Sequence, residues 1–323
     1  MKPVISQARI LGFHRQLHQW YAQHGRKDLP WRLTRDPYAI YISEIMLQQT
    51  QVKTVLERYY FQFLKRFPTL SMLASAKQDE VLQAWQGLGY YNRATNLHKA
   101  AKACDGALPG TAEELIALPG IGKNTAHAIA AFAFHTPVAV MEANVKRVIC
   151  RVFALKKPTP DILWGKATQL LDRNEPFDYN QAMMDIGALV CTKRAPQCAA
   201  CPANDICLGK ASPESYPAPV KKAAAPIRHK HIIVLQNKDG KYFASPRTSK
   251  FLNGLYHFIE QEGGKKPKGK KLSHIRQQYS HFTLRADIYL VMDKGSGKNW
   301  YTLAQLNKLP VSMAEKKILT LLG

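Results

Sequence analysis

The chain has 323 residues, 46% of them hydrophobic, which is enough to build the cores of two or three domains. Its 46 basic and 23 acidic side chains leave a formal charge of +23, far beyond what solubility needs, and this points to a polyanionic partner. No basic amphipathic helix offers a membrane anchor, no apolar run is long enough to cross a bilayer and no signal-peptide core opens the chain, so a cytoplasmic location without membrane contact is expected.

In chain order, LPWR (29–32) precedes SEIMLQQTQV (43–52). Glu44 lies one helical turn beyond Ile40 and ahead of Leu47, a carboxylate among apolar neighbours. Such surroundings raise a carboxyl pKa and suit it to act as an acid; an ion pair with Arg32 or Arg35 is the structural alternative. Amphipathic stretches at 52–67, 78–86, 92–104 and 161–173 read as helices. GLGYY (87–91) reads on its own as a helix C-cap with packed tyrosines. LPGIGKNTAHAIAAFAF (118–134) places Gly120 and Gly122 in a tight turn before a helix opening near Thr125. Glycine there admits backbone angles closed to other residues and lets helix N-terminal amides approach a phosphate, with Lys123 adding charge. With Leu115, Leu118, Ile121, Ala126 and Ile129 as its apolar frame, this is a helix-hairpin-helix pattern for sequence-independent binding of DNA backbone. In MEANVKRV (141–148), Asn144 is placed to cap a helix from Val145, with Glu142 on its dipole.

Cys191, Cys198, Cys201 and Cys207 gather four of the six cysteines into a C-x6-C-x2-C-x5-C segment. Thiolates this dense repel one another unless a cation or cluster neutralises them, and the uneven spacing without histidine favours a [4Fe–4S] cluster over zinc. Lys193 and Arg194 in the same loop are cations for display toward phosphate. Residues 211–226, with four prolines, read as an extended linker. Beyond it HIIVLQ, KYFASP, GLYHFIE and ADIYLVM read as short strands around an Asp239-Gly240 turn, followed by a helix capped by Ser312 with Glu315 three residues on. GGKKPKGKK (263–271) reads as a flexible basic loop whose deletion should flatten the salt dependence of DNA binding.

A helix-hairpin-helix followed by this cysteine segment resembles the endonuclease III superfamily of DNA base-excision glycosylases. Within it, LPWR, SEIMLQQTQV, GLGYYNRATNLHKAA (87–101) and NQAMMDIGALVCT (180–192) are very similar to the MutY-type adenine DNA glycosylases, densely over residues 10–210 and more weakly to the end. The resemblance implies a mainly α fold: a helix-hairpin-helix DNA glycosylase core with an iron–sulfur cluster loop over 1–210, then a small α+β Nudix-like domain over 227–323. Within the core it implies a helical barrel at 28–138 and a cluster-containing helical domain from 1–27 plus 139–210, with 211–226 as linker. The implied reaction is hydrolysis of the N-glycosidic bond of adenine mispaired with 8-oxoguanine or guanine, in base excision repair.

Carried over residue by residue, the resemblance makes Glu44 the general acid and gives Glu142 the sugar-stabilising charge. Here the sequence departs from the family's Asp-Gly-Asn: Glu142-Ala143-Asn144 keeps the charge but adds a methylene, shifting its reach by about an ångström, so a working but slower enzyme is expected. Gln48, Gln49 and Thr50 resemble the strand-contacting segment, Tyr90 the wedge beside the orphan base, and Trp31, Arg32, Leu47 and Asp185 the adenine pocket. YSHF (279–282) resembles the family's Phe-Ser-His element, assigning Tyr279, Ser280 and His281 to 8-oxoguanine recognition. Asn124 stands where lyase members carry a lysine, so base release with little strand cleavage is expected. The glutamate-rich segment of catalytic Nudix hydrolases is missing, and no pyrophosphatase activity is expected. The expected partner is duplex DNA with A:8-oxoguanine or A:G mispairs, bound by a monomer, with a sliding clamp or an abasic-site nuclease as further partners this role leaves open. A pyrimidine or thymine-mismatch glycosylase of the same superfamily, and a catalytically silent lesion binder, are the alternatives.

Overall fold

A computed structural model describes residues 5–219, 224–249 and 251–323. The chain separates into two compact units, Met1–Gln49 with Ala103–Lys221, and Thr50–Lys102 with Lys222–Gly323.

The first unit is helical. Asp36 opens the helix Pro37–Leu47 by accepting from the amides of Tyr38 and Ala39, with Pro37 in the first turn where its missing N–H costs nothing. The helix Lys123–Phe134 sets Ala128, Ala131 and Phe132 against Ile40, Val140 and Phe177, its small residues allowing close approach. A second core joins Phe13, Leu17 and Tyr21 of the helix Gln7–His24 to Val148 and Ile149 of Ala143–Val152 and to Met183 of Pro176–Asp185. That last helix widens into a π turn at Ile186–Val190, which delivers Cys191. Gly187 makes the turn possible, because a Cβ there would lie 2.5 Å from the Cβ of Asn144.

In the second unit the helix expected over 52–67 is two, Val52–Arg58 and Tyr60–Arg66. It breaks at Tyr59, whose hydroxyl donates to the Gln86 carbonyl at 3.2 Å and lies where a Cβ on Gly87 would stand. The helices Leu70–Ser75, Gln78–Ala84 and Asn92–Ala103 follow. The strands are β1 (Ile227–Gln236), β2 (Tyr242–Phe243), β3 (Ser245–Pro246), β4 (Tyr256–His257), β5 (Ile259–Glu262), β6 (Lys270–Gln278), β7 (Thr283–Met292) and β8 (Trp300–Tyr301). They form a mixed sheet ordered β6-β7-β1-β2-β8, with β5 also on β1, and a separate β3–β4 pair. One sheet face packs Ile232, Val234, Ile275, Leu284 and Ile288 with Ile318 and Leu319 of the helix Met313–Leu322.

Residues 50–102 group with the C-terminal strands, where Gln83 donates to the Lys308 carbonyl and Gln86 and Tyr91 to that of Val311. Two boundaries differ from the sequence reading. The first part of the expected linker is fastened: Arg151 Nε donates to the carbonyls of Pro213 and Tyr216, and the Ala218 amide to that of Lys156. Residues 220–223 of that linker lie outside the described residues. Lys270 and Lys271 of the expected basic loop belong to β6, paired with Leu290 and Tyr289. Ser312 does cap the last helix, but Glu315 also turns to Arg247 at 3.0 Å. No helix among the described residues is long and apolar enough to cross a membrane.

Candidate active site

Glu44 sits on the buried helix Pro37–Leu47 between Ser43 and Ile45, both buried. Removal from water, then the neighbouring negative charge of Glu142, push its carboxyl up to about 7, with Arg32 pulling the other way. The expected acid therefore carries its proton near neutrality.

The alternative pairing of Glu44 with Arg32 does not occur. Arg32 forms a two-pronged bridge to Asp185, Nη1 to Oδ2 at 2.7 Å and Nη2 to Oδ1 at 2.9 Å. Arg26 adds its backbone N–H, Nε and Nη2 to the same carboxylate. Burial alone would raise the Asp185 pKa, yet these bonds, led by Arg32's, hold it below the ordinary carboxylate value. Asp185 is fully buried, and its carboxylate fixes Arg32. Arg35 is engaged elsewhere, its guanidinium 3.7 Å from the centre of the Phe177 ring. Trp31 is buried beside Arg32 in the short turn Pro30–Arg32, and Leu47, partly buried, ends the Glu44 helix.

Glu142, not Asn144, caps the helix Ala143–Val152. Its two oxygens accept from the amides of Asn144 at 2.9 Å and Val145 at 3.0 Å, so the longer side chain is folded back over its own helix N-terminus. Asn144 accepts from Arg147 at 2.8 Å; Arg147 also donates to the carbonyls of Gly187 at 2.5 Å and Cys191 at 2.7 Å. This arginine, which sequence reasoning passed over, ties the Glu142 turn to the cysteine loop. Gly187→Ala, adding a methyl against Asn144, is expected to cost about 1–3 kcal/mol and to lower the urea midpoint of unfolding; an unchanged midpoint would show that the turn has room to give.

At the hairpin, only Gly120 takes a positive φ, 79°. Gly122 is extended and caps Lys123–Phe134, and nothing lies within 4 Å of where its Cβ would be. Its use is therefore an open approach to helix N-terminal amides and not a strained turn. Thr125 is buried and accepts from Gln48 at 3.2 Å, linking the hairpin to the end of the Glu44 helix, where Gln49 is exposed with φ 57°. Lys123 is partly occupied, its ammonium 4.5 Å above the Trp164 ring. Asn124 accepts from the Met141 amide at 2.6 Å and presents no amine.

The four cysteines line one small cavity with Arg151, Pro196 and Asn204. Burial, then the proximity of the other sulfurs, push the Cys201 thiol to about 12 and that of Cys207 to about 11. Arg151, buried, donates to the Cys191 sulfur and to the carbonyls of Cys191, Thr192 and Lys193. Among the described residues no three His, Cys, Asp or Glu side chains close on a single metal ion. Lys193 and Arg194 are exposed on this loop.

In the second unit, a cavity of about 850 Å³ brings together Tyr90, Arg93, Phe251, Tyr279, Ser280 and His281. Tyr90 stands at φ 49° and is 42% exposed, with Arg93 against its ring; Arg93 also donates to Thr50. Tyr279 is held edge-on by Phe251 and bonds Ser312, while Ser280 and His281 share a 2.7 Å hydrogen bond and face outward. Tyr279 therefore supports the turn from beneath, and the two polar side chains are presented by it.

Residues 42–172 match the HhH-GPD superfamily of base excision DNA repair proteins. An adenine DNA glycosylase of Buchnera aphidicola is 34% identical over 340 residues, covering 96% of each chain. The human adenine DNA glycosylase is 45% identical over 218 residues, 62% of this chain and 40% of that one. Among solved structures, a thermostable thymine-DNA glycosylase overlays with a TM-score of 0.58 at 29% identity, over 62% of this chain and 96% of that one. Endonuclease III in a non-covalent DNA complex shares the fold at a TM-score of 0.55 and 20% identity, over 64% and 97%. With a helix-hairpin-helix, a buried glutamate whose carboxyl is raised toward neutrality, and near full-length identity above 30%, the chain belongs to the MutY-type adenine DNA glycosylases of the HhH-GPD superfamily.

Proposed function

We propose that the protein releases adenine opposite 8-oxoguanine or guanine by hydrolysis, leaving an abasic site. The observation that carries this is Glu44, a carboxyl raised to about 7 beside a second carboxylate. Adenine is a poor leaving group, so Glu44 donates its proton to a ring nitrogen of the extruded base while the glycosidic bond breaks. Positive charge then builds on the sugar, and Glu142, pinned by two backbone amides, supplies fixed negative charge. Arg32, oriented by Asp185, keeps a buried Nε without a hydrogen-bond partner in the described structure, a donor for the base edge.

Two features favour base release without strand cleavage. Asn124 holds the Met141 amide where a lyase would need an amine, and Lys123 lies over Trp164. A duplex with one adenine opposite 8-oxoguanine tests the reading: adenine should appear in solution, with strand breaks only after alkali, and breaks without alkali would overturn it.

Glu142→Asp is expected to release adenine faster than the parent, by up to about a hundredfold if reach limits the charge's effect. A variant no faster in single-turnover assays would show that this turn already accommodates the extra methylene.

The cysteine cavity fits a [4Fe–4S] cluster held by Cys191, Cys198, Cys201 and Cys207. Supporting this are four thiols around one cavity, of which Cys201 and Cys207 are raised in pKa by burial and by the neighbouring sulfurs, with the Arg151 cation on the Cys191 sulfur. When bound, such a group neutralises the thiolates and cross-links the loop that carries Lys193 and Arg194. Arg151 and Arg147 hold that loop's carbonyls, so this chain's part is to shape the loop toward phosphate.

The Tyr90 cavity is the proposed place for the base opposite adenine. Ser280 and His281 offer a hydroxyl and a ring nitrogen to an oxidised purine edge, with Tyr90 as the stacking ring, and the domain carrying them is read as Nudix-like.

A further inference from the structure

Alternate residues of a strand point to opposite faces, and only one face of the mixed sheet carries the core described above. On the other, the register of β1, β7 and β6 builds cross-strand rows. His229 stands beside Arg285, which faces Arg276; one step along, His231 stands beside Asp287, which faces His274. These six side chains line a concavity of about 430 Å³. Four of them, His229, His274, Arg276 and Arg285, are exposed.

Two arginines directly opposite each other repel. Ion pairs in this domain engage Lys230, Arg247 and Lys271, and none among the described residues reaches Arg276 or Arg285. Asp287, the acid within the rows, is bound to Lys271 at 2.8 Å. The arrangement leaves an uncompensated basic strip, and its ends give it a direction. Arg276 and Arg285 lie two register steps, roughly 7 Å, from the Gln278–Thr283 pair that closes the turn carrying Ser280 and His281. At the far end the strip reaches Lys271, which stands opposite Tyr289 on the same face.

We propose that this sheet face is a second DNA-binding surface, taking the phosphodiester backbone of the duplex beyond the mispair through Arg276, Arg285, His229 and His274. Guanidinium forks suit phosphate oxygens, and the central carboxylate disfavours one compact anion while leaving a chain of phosphates free to pass on either side. The inference requires only that the protein bind DNA, and not that His281 read the opposite base.

The test is the salt dependence of binding by the full-length protein to a duplex extending well beyond the mispair on both sides. R276Q/R285Q should flatten the slope of log K against log salt by about 1.8, two contacts at roughly 0.9 each, with single-turnover adenine release at saturating protein unchanged. R276K/R285K, which keeps the charge, should retain the parental slope. An unchanged slope in a glutamine variant of parental circular dichroism and melting temperature overturns the proposal, as does loss of binding to anionic phospholipid vesicles with DNA binding intact. Should the glutamine variant fail to fold, H229C bearing a photoactivatable cross-linker decides the matter: capture of the long duplex supports the surface, and no capture overturns it.

Discussion

Glu44→Gln is expected to slow adenine release by about 10²–10⁴-fold while duplex binding survives, because the amide fills the carboxyl's space but has no proton to give. Single-turnover rates with binding measured in parallel would separate the two effects; parental rates in the variant would remove Glu44 from the chemistry. The parent's rate should itself fall as pH rises through about 7, where Glu44 loses its proton, and the variant's residual rate should lack that limb. Stability should move the other way. The folded carboxyl titrates near 7 against an ordinary 4.5, so between those values the native state holds a proton the unfolded chain has released. Stability therefore falls as pH rises across that window, and above it the destabilisation is complete, on the order of 3 kcal/mol. Glu44→Gln removes this, so the inactive variant should be the more stable protein at pH 8, and the two should converge below pH 4.5.

Much of this site could be read from residues in sequence. Glu44 among Ile40, Ile45 and Leu47 is an acid because its neighbours are apolar, a property of one helical turn. The hairpin was legible for the same reason, since glycines, helix frame and basic residue all fall within seventeen positions. What escaped depends on contacts between distant segments. In MEANVKRV either Glu142 or Asn144 could take the cap; it goes to Glu142 while Asn144 bonds Arg147, whose guanidinium also reaches the Gly187 carbonyl forty residues on. That Arg26 and Arg32, more than 150 residues earlier, converge on Asp185 likewise follows only from the fold. The basic sheet face was hidden because Arg276, Arg285 and His229 become neighbours only through strand register. The lysine-rich segment leading into β6, by contrast, is visible as composition alone.

Asp185→Asn is expected to destabilise the protein by about 3–5 kcal/mol, among the largest effects of any single change here. The Arg32 side chain is 4% exposed and that of Asp185 0%, so losing the charge strands a guanidinium where water cannot replace its partner, and an asparagine NH₂ would point a donor at donors. Chemical denaturation should show the sign of the linkage. The Asp185 pKa is lowered in the fold, so its contribution is present above the ordinary carboxylate value of 3.8 and disappears as pH falls through the depressed one. The gap between parent and variant should therefore be widest near neutrality and narrow in strong acid; a gap independent of pH would mean that the ion pair is not its source. The same substitution reaches the chemistry through Arg32, the positive charge that already opposes the rise in the Glu44 pKa. Freed from Asp185, Arg32 becomes the natural partner of an ionised Glu44, and the alkaline limb of adenine release should move to lower pH. A limb that stays in place in a folded variant would show that the Arg32 bond to the Arg26 carbonyl, at 3.1 Å, is sufficient to keep the guanidinium away from the acid.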